Sequence, residues 1–204
     1  MESRKWKIWN YSHFLALGLC FLLANGTCFA QNKYEREYRI KKSQFPKNAL
    51  LFLDKKIQDA RRVRFYKETD SAKASYEAKF KKDKLNYSVE FDEQGALEDI
   101  EILIKPIDIP EESMEAISNY LTKEFTKFRI RKIQQQYPVS SKEAPEVTLK
   151  NAFQNLLLPS LNYELIVAGK KAKTYADYEV LFNAEGAFIR IRKSLPANYD
   201  HVLY

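Results

Sequence analysis

Cysteine, histidine and glycine are scarce in this chain, and their positions exclude more than their numbers do. The 204 residues include 2 Cys, 2 His, 2 Trp and 5 Gly. Cys20, Cys28, His13, Trp6 and Trp9 all fall within the first thirty. A chain that loses that segment has no thiol, so neither a thiolate nucleophile nor a thiolate zinc site can be built from it. His201 would be its only imidazole, in a terminal tail that offers a catalytic triad no ordered base. Gly95, Gly169 and Gly186 stand alone in separate turns, and no phosphate-cradling glycine loop can be assembled from them. With only 5 Gly and 7 Pro against 45% apolar residues, the composition is that of a folded globular chain.

The first thirty residues have the anatomy of an export signal. Arg4, Lys5 and Lys7 form a positive start, residues 14–24 are an almost unbroken apolar run, and Ala30 suits the position before a cleavage site. Cleavage is expected between Ala30 and Gln31, giving a periplasmic or secreted protein. An uncleaved anchor fits less well, because the 17 positions 14–30 include Asn25 and a spanning helix needs about 20 apolar residues. Leu19 before Cys20 and Thr27 before Cys28 depart from the small residue that precedes a lipidated cysteine. The expected mature chain has 204 − 30 = 174 residues, with no membrane-spanning segment. Its formal charge is +5, from 34 − 3 = 31 basic and 27 − 1 = 26 acidic residues. A chain of that length buries about 70% of its unfolded surface, enough for a core without cross-links.

Residues 31–42 are polar and charged and read as a flexible lead-in that ends in a short strand. Pro46 suits a first helical turn, where its missing N–H costs nothing, and Ala49, Leu50, Leu53, Ile57 and Ala60 follow at helical spacing. Val63 and Phe65 then alternate with Arg62, Arg64 and Tyr66, and Tyr76, Ala78 and Phe80 with Glu77, Lys79 and Lys81, which predicts two strands. Tyr87, Val89 and Phe91 alternate with Ser88, Glu90 and Asp92. Asp92, Glu93, Gln94 and Gly95 supply turn chemistry before a second apolar run that ends at Ile104.

The cycle then restarts. Ile109-Pro110 opens a second helix with Glu111 and Glu112 in its first turn and Ile117, Leu121 and Phe125 as its stripe. A strand at 128–136 leads to an inserted segment, 138–160, which carries a short helix through Leu149, Ala152, Phe153, Leu156 and Leu157. Strands follow at 162–168, 175–183 and 187–193. The hairpin pattern returns 178 − 87 = 91 positions on, as Tyr178, Val180, Phe182, Asn183 and Gly186. The expected fold is one α+β domain: an antiparallel sheet with helices packed on one face, in two repeats of helix followed by β-meander (43–106 and 107–204).

The proline-opened helix at Pro46, the run Tyr87-x-Val89-x-Phe91-Asp92-x-x-Gly95, the acidic strand through Glu101 and the Ile109-Pro110 helix start with Ile117 carry a resemblance. Over residues 43–137, and again over 161–193, the chain resembles the PepSY-like proteins related in fold to the β-lactamase inhibitor protein. That group is common among exported proteins of Bacteroidetes-type bacteria. The resemblance implies an exported, non-catalytic binding or inhibitory module, and implies no particular partner.

The charged residues supply the candidate site. Arg62-x-Arg64, Arg129-x-Arg131 and Arg190-x-Arg192 each place two arginines on one side of a strand, opposite an apolar face. With Tyr66, these six are the candidate partner-binding residues on the open sheet face. Guanidinium forks suit carboxylates and phosphates, so the expected partner is a protein or an anionic envelope component. Nucleic acid does not suit an exported protein of this charge. The alternative function is a structural envelope protein that binds an anionic polymer or the membrane surface. Against a partner site stands ordinary cross-strand pairing with Glu77, Glu90, Glu101 and Glu179, which fall on the same nominal face. Leu103, Ile166 and Leu181 share that face by alternation. Glu111-Glu112 and Glu98-Asp99-x-Glu101 read as a helix N-terminus and a solvated strand, and neither a metal nor another cofactor is predicted.

Overall fold

The computed structural model describes residues 31–33, 35–70 and 73–194. The expected signal segment with its cleavage point at Ala30, and the tail bearing His201, lie outside the described residues.

Among the described residues ten strands form one sheet. They are β1 (Gln31–Lys33), β2 (Glu35–Ile40), β3 (Arg61–Asp70), β4 (Lys73–Lys82), β5 (Leu85–Asp92), β6 (Leu97–Ile104), β7 (Lys127–Pro138), β8 (Asn162–Lys171), β9 (Thr174–Asn183) and β10 (Phe188–Ser194). From β2 to β10 every strand pairs antiparallel with its neighbour in sequence, and β1 closes the far edge by pairing parallel with β10. Three helices interrupt the meander: α1 (Lys47–Leu53), α2 (Glu111–Glu124) and α3 (Pro145–Phe153). Residues 31–42, read from the sequence as a flexible lead-in, hold both edge strands; β2 pairs with β3 from Glu35↔Asp70 to Ile40↔Phe65. Edge strands of mixed charge lack the apolar alternation that announces a buried one.

The helices cover one face. Ala49 and Leu53 of α1, Ile117 and Leu121 of α2, and Leu149 and Ala152 of α3 join Phe80, Val89, Phe91, Ile100, Ile102, Ile133, Leu165, Val167, Val180 and Phe182 in a single apolar cluster. The alternation along each strand dictates this, because residues i and i+2 point to the same face. Two of the three helix-bearing connections, β2–β3 and β6–β7, start alike. A 3-10 turn closes when the side chain of Gln44 or Asp108 accepts the N–H three residues earlier, at 2.9 and 2.8 Å. A proline with helix-ready φ, Pro46 or Pro110, then opens the helix.

The β5–β6 and β9–β10 turns also share their geometry. Asp92 Oδ1 accepts from Ala96 N–H at 2.8 Å, and Asn183 Oδ1 accepts from Ala187 N–H at 2.7 Å. Gly95 and Gly186 follow at φ +80° and +78°, a conformation that favours glycine. Asn183, whose amide oxygen can replace a carboxylate oxygen, serves where the first turn has Asp92.

Candidate functional site

The face turned away from the helices is folded in on itself. Flat, β3 and β7 would lie about 19 Å apart at the usual strand spacing, yet Arg62 and Arg64 of β3 line the same groove as Lys132 and Gln134 of β7. The groove holds about 280 Å³, with Tyr66, Lys79, Lys81, Ser88 and Leu103 among its other walls and no carboxylate in its lining. Curling also hides part of what alternation left open: Tyr66, Ser88, Gln134 and Leu181 are buried, while Leu103 stays exposed.

Two β-bulges decide which cations reach this groove. On β3, Arg61 pairs with Lys81 and Arg64 with Lys79, so three steps on one strand meet two on the other. Arg62 absorbs the extra residue at φ +57°, a left-handed conformation that costs a non-glycine residue roughly 1–2 kcal/mol. Bulges re-aim side chains in this way, and both Arg62 and Arg64 end on the groove. On β7, Ile130 pairs with Val167 and Lys132 with Ile166, leaving Arg131 as the extra residue. Arg131 leaves the strict alternation and donates from Nη1 to Asp177 Oδ2 at 3.1 Å. Lys132 takes the position on the inner face.

The candidate arginines are therefore not one set. Arg62, Arg64 and Tyr66 share the groove. Arg190 and Arg192 converge on buried Glu179 at 3.5 and 2.5 Å, as ordinary cross-strand pairing anticipates. Arg129 is exposed opposite Ala168, and Arg131 borders a separate recess beside its partner Asp177. Lys79, Lys81 and Lys132 are wall residues absent from the candidate set, although Lys79-x-Lys81 repeats the spacing that singled out the arginines. Lys79 lies 2.6 Å from Glu37 and 2.7 Å from Glu77, and its ammonium sits 4.7 Å from the centre of the Tyr66 ring. Burial works against its charge, and the Glu77 and Glu37 carboxylates outweigh burial and hold its pKa above the ordinary lysine range. Among the described residues Arg62, Arg64 and Lys81 make no ion pair.

Beside the groove lies a band of opposed carboxylates. The register sets Glu77 directly across from Glu90, and Glu90 directly across from Asp99. Like charges in such positions are destabilising. The expectation of a solvated strand fails here: Glu101 is 5% exposed and Glu77 3%, because the face curls over them. Ser88 donates its hydroxyl to Glu77, and Gln134 its amide to Glu101. Burial, with Asp99 and Glu101 nearby, pushes Glu90 well above the usual carboxylate range; burial, with Glu164 and Asp99, does the same to Glu101. Glu77 is raised by burial and drawn back by Lys79. Two trios, Glu37–Glu68–Glu77 and Glu90–Asp99–Glu101, each bring carboxylate oxygens within 4.8 Å of one another. Shared protons satisfy such spacing as readily as a cation, so spacing alone does not make either trio a metal site.

No family model and no curated protein matches the chain. Several solved structures show a distant likeness. A DUF2874 family protein from Bacteroides ovatus is 11% identical, with a TM-score of 0.49 over 72% of this chain and 86% of its own. A candidate periplasmic protein from Bacteroides eggerthii is 16% identical, with a TM-score of 0.49 over 76% and 92%. A BLIP-like protein from Bacteroides fragilis is 13% identical, with a TM-score of 0.47 over 78% and 93%. At this depth of likeness, fold and function rest on the chain's own residues.

Proposed function

We propose that this chain is an exported, periplasmic, non-catalytic binding or inhibitory module that engages its partner through the concave face of its sheet. One observation carries this: Arg62, Arg64 and Lys81, none in an ion pair among the described residues, line one groove with no carboxylate in its wall. Elsewhere on the same face Arg190 and Arg192 are matched to Glu179. Internal pairing is thus available to this sheet, and among the groove cations only Lys79 uses it within the described residues, with Glu37 and Glu77. Arg62 and Lys81 are exposed and Arg64 is half-buried, and cations so placed without an internal partner suit an anionic surface brought from outside. The likeness of the two turns and the two helix starts fits two copies of one unit, which makes the hairpins scaffold and leaves function to the concave face.

The test is capture from a Bacteroidetes-type envelope extract at low and high salt, comparing the full chain with the double variant Arg64→Glu/Lys81→Glu. A partner retained by the parent, lost by the variant and released by salt is the expected result, since exposed charges are screened. Equal retention by both chains would remove the face from consideration.

A further inference from the structure

Resting on that proposal, we infer that the groove takes a phosphate monoester carried on a small organic group. Its wall brings together five cations: Arg62, Arg64, Lys79, Lys81 and Lys132. Lys79 is spent on Glu37 and Glu77, and Lys132 lies in the field of Glu77 and Glu101. The other three have no partner among the described residues. A single carboxylate would answer one of these charges, whereas a phosphate monoester brings nearly two and accepts the planar two-pronged donation of a guanidinium.

Among the neutral donors of the lining, Ser88 and Gln134 already serve Glu77 and Glu101. The Tyr66 ring and Leu103 form an apolar wall against which the organic part can lie. At about 280 Å³ the groove falls at the lower end of small-molecule sites, enough for one head group. Arg62 reaches the groove from the bulge on β3, where it sits at φ +57°.

Calorimetric titration of the full chain at low ionic strength, with glucose 1-phosphate, inorganic phosphate, glucose and acetate, tests the ligand class. Both phosphates should bind, acetate at least tenfold more weakly, and glucose not at all. Arg64→Gln/Lys81→Gln should weaken phosphate binding at least tenfold, while Arg131→Gln, outside the groove, should leave it unchanged. Arg62→Gly, which relaxes the backbone, should weaken it as well, so a loss cannot be put down to misfolding. Vesicles with and without phosphatidic acid separate the sources. Binding to them without binding to glucose 1-phosphate makes the ester a lipid head group, and the reverse makes it soluble. Acetate binding as tightly as phosphate, no phosphate binding in either form, or equal binding by the groove variants and Arg131→Gln would overturn the assignment. If phosphates fail but Arg64→Glu/Lys81→Glu still loses the envelope partner, the ligand class alone falls; if both fail, the face falls with it.

Discussion

Replacing Glu90 with glutamine should stabilise the protein at pH 8 and not at pH 4. Glu90 stands directly opposite Glu77 on one side and Asp99 on the other. Its carboxyl is held well above the ordinary range by burial first, then by Asp99, Glu101, Glu68 and Glu77. With a folded pKa above the unfolded one, the native state keeps a proton that the unfolded chain gives up. Stability is therefore fully present below about pH 4.5, the ordinary value, and is lost as pH rises through the folded value, at up to about 1.4 kcal/mol per pH unit. Glutamine keeps the shape and removes the charge.

Two opposed like-charge pairs at roughly 0.2–1 kcal/mol each give about 0.4–2 kcal/mol, or about 1–8 °C in Tm for a domain of this size. Melting followed by circular dichroism from pH 4 to 8.5 reads this directly. Glu98→Gln is the control on the neighbouring strand, β6. Glu98 takes part in an ion pair with the mostly exposed Lys73, so its loss should lower stability by less than about 1 kcal/mol. Should Glu90→Gln melt no higher than the parent at pH 8, or keep its full advantage at pH 4, the opposed-carboxylate account is wrong.

Arg62→Gly should be neutral or more stable by up to about 1.5 kcal/mol in urea titration, because relief of a left-handed arginine, about 1–2 kcal/mol, equals or exceeds the added chain entropy of glycine, about 0.5–1 kcal/mol. A clear loss of stability would refute strain at that bulge. Gly186→Ala should cost more than Gly95→Ala by thermal melting. Both sit at positive φ, but the new methyl at 186 would lie 2.3 Å from the Ser113 carbonyl oxygen, while at 95 its nearest neighbours are at 3.0 Å. Equal losses would mean the contact relaxes freely. Arg131→Gln gives up only an exposed pair with Asp177 and should change stability by less than about 1 kcal/mol.

The alternation of Tyr87, Val89 and Phe91, and its return at Tyr178, located the buried face because side-chain direction in a strand follows from position alone. Pro46 and Pro110 marked two of the three helix starts for an equally local reason. The arginine face was legible only in part. Strict alternation placed Arg129 and Arg131 together, but a single extra residue on β7 handed the inner position to Lys132. Bulges depend on the pairing of two strands, and no window of one strand contains that information. The opposed glutamates were hidden for the same reason. Glu77 and Glu90 read as cross-strand partners for the arginines, and Asp99 as part of a solvated strand, until the register puts the three in line.

The charges on the concave face are sorted unevenly, and the unevenness is the strongest argument that the groove has a use. Near β9 and β10 the face behaves as stability alone would arrange it, with two arginines on one buried glutamate. Between β3 and β7 the matching is partial: Lys79 pairs with Glu37 and Glu77, but carboxylates oppose carboxylates across β4, β5 and β6, and Arg62, Arg64 and Lys81 make no ion pair among the described residues. A relocation of either set would relieve both, and one residue of the cationic set sits at an unfavourable φ as well. Segregation of this kind holds a positive potential at the groove that internal pairing would quench. An incoming dianion relieves the cationic half without touching the carboxylates beside it. Salt should accordingly weaken ligand binding, while the pH dependence of stability, set by the buried acids, should persist when the groove is filled.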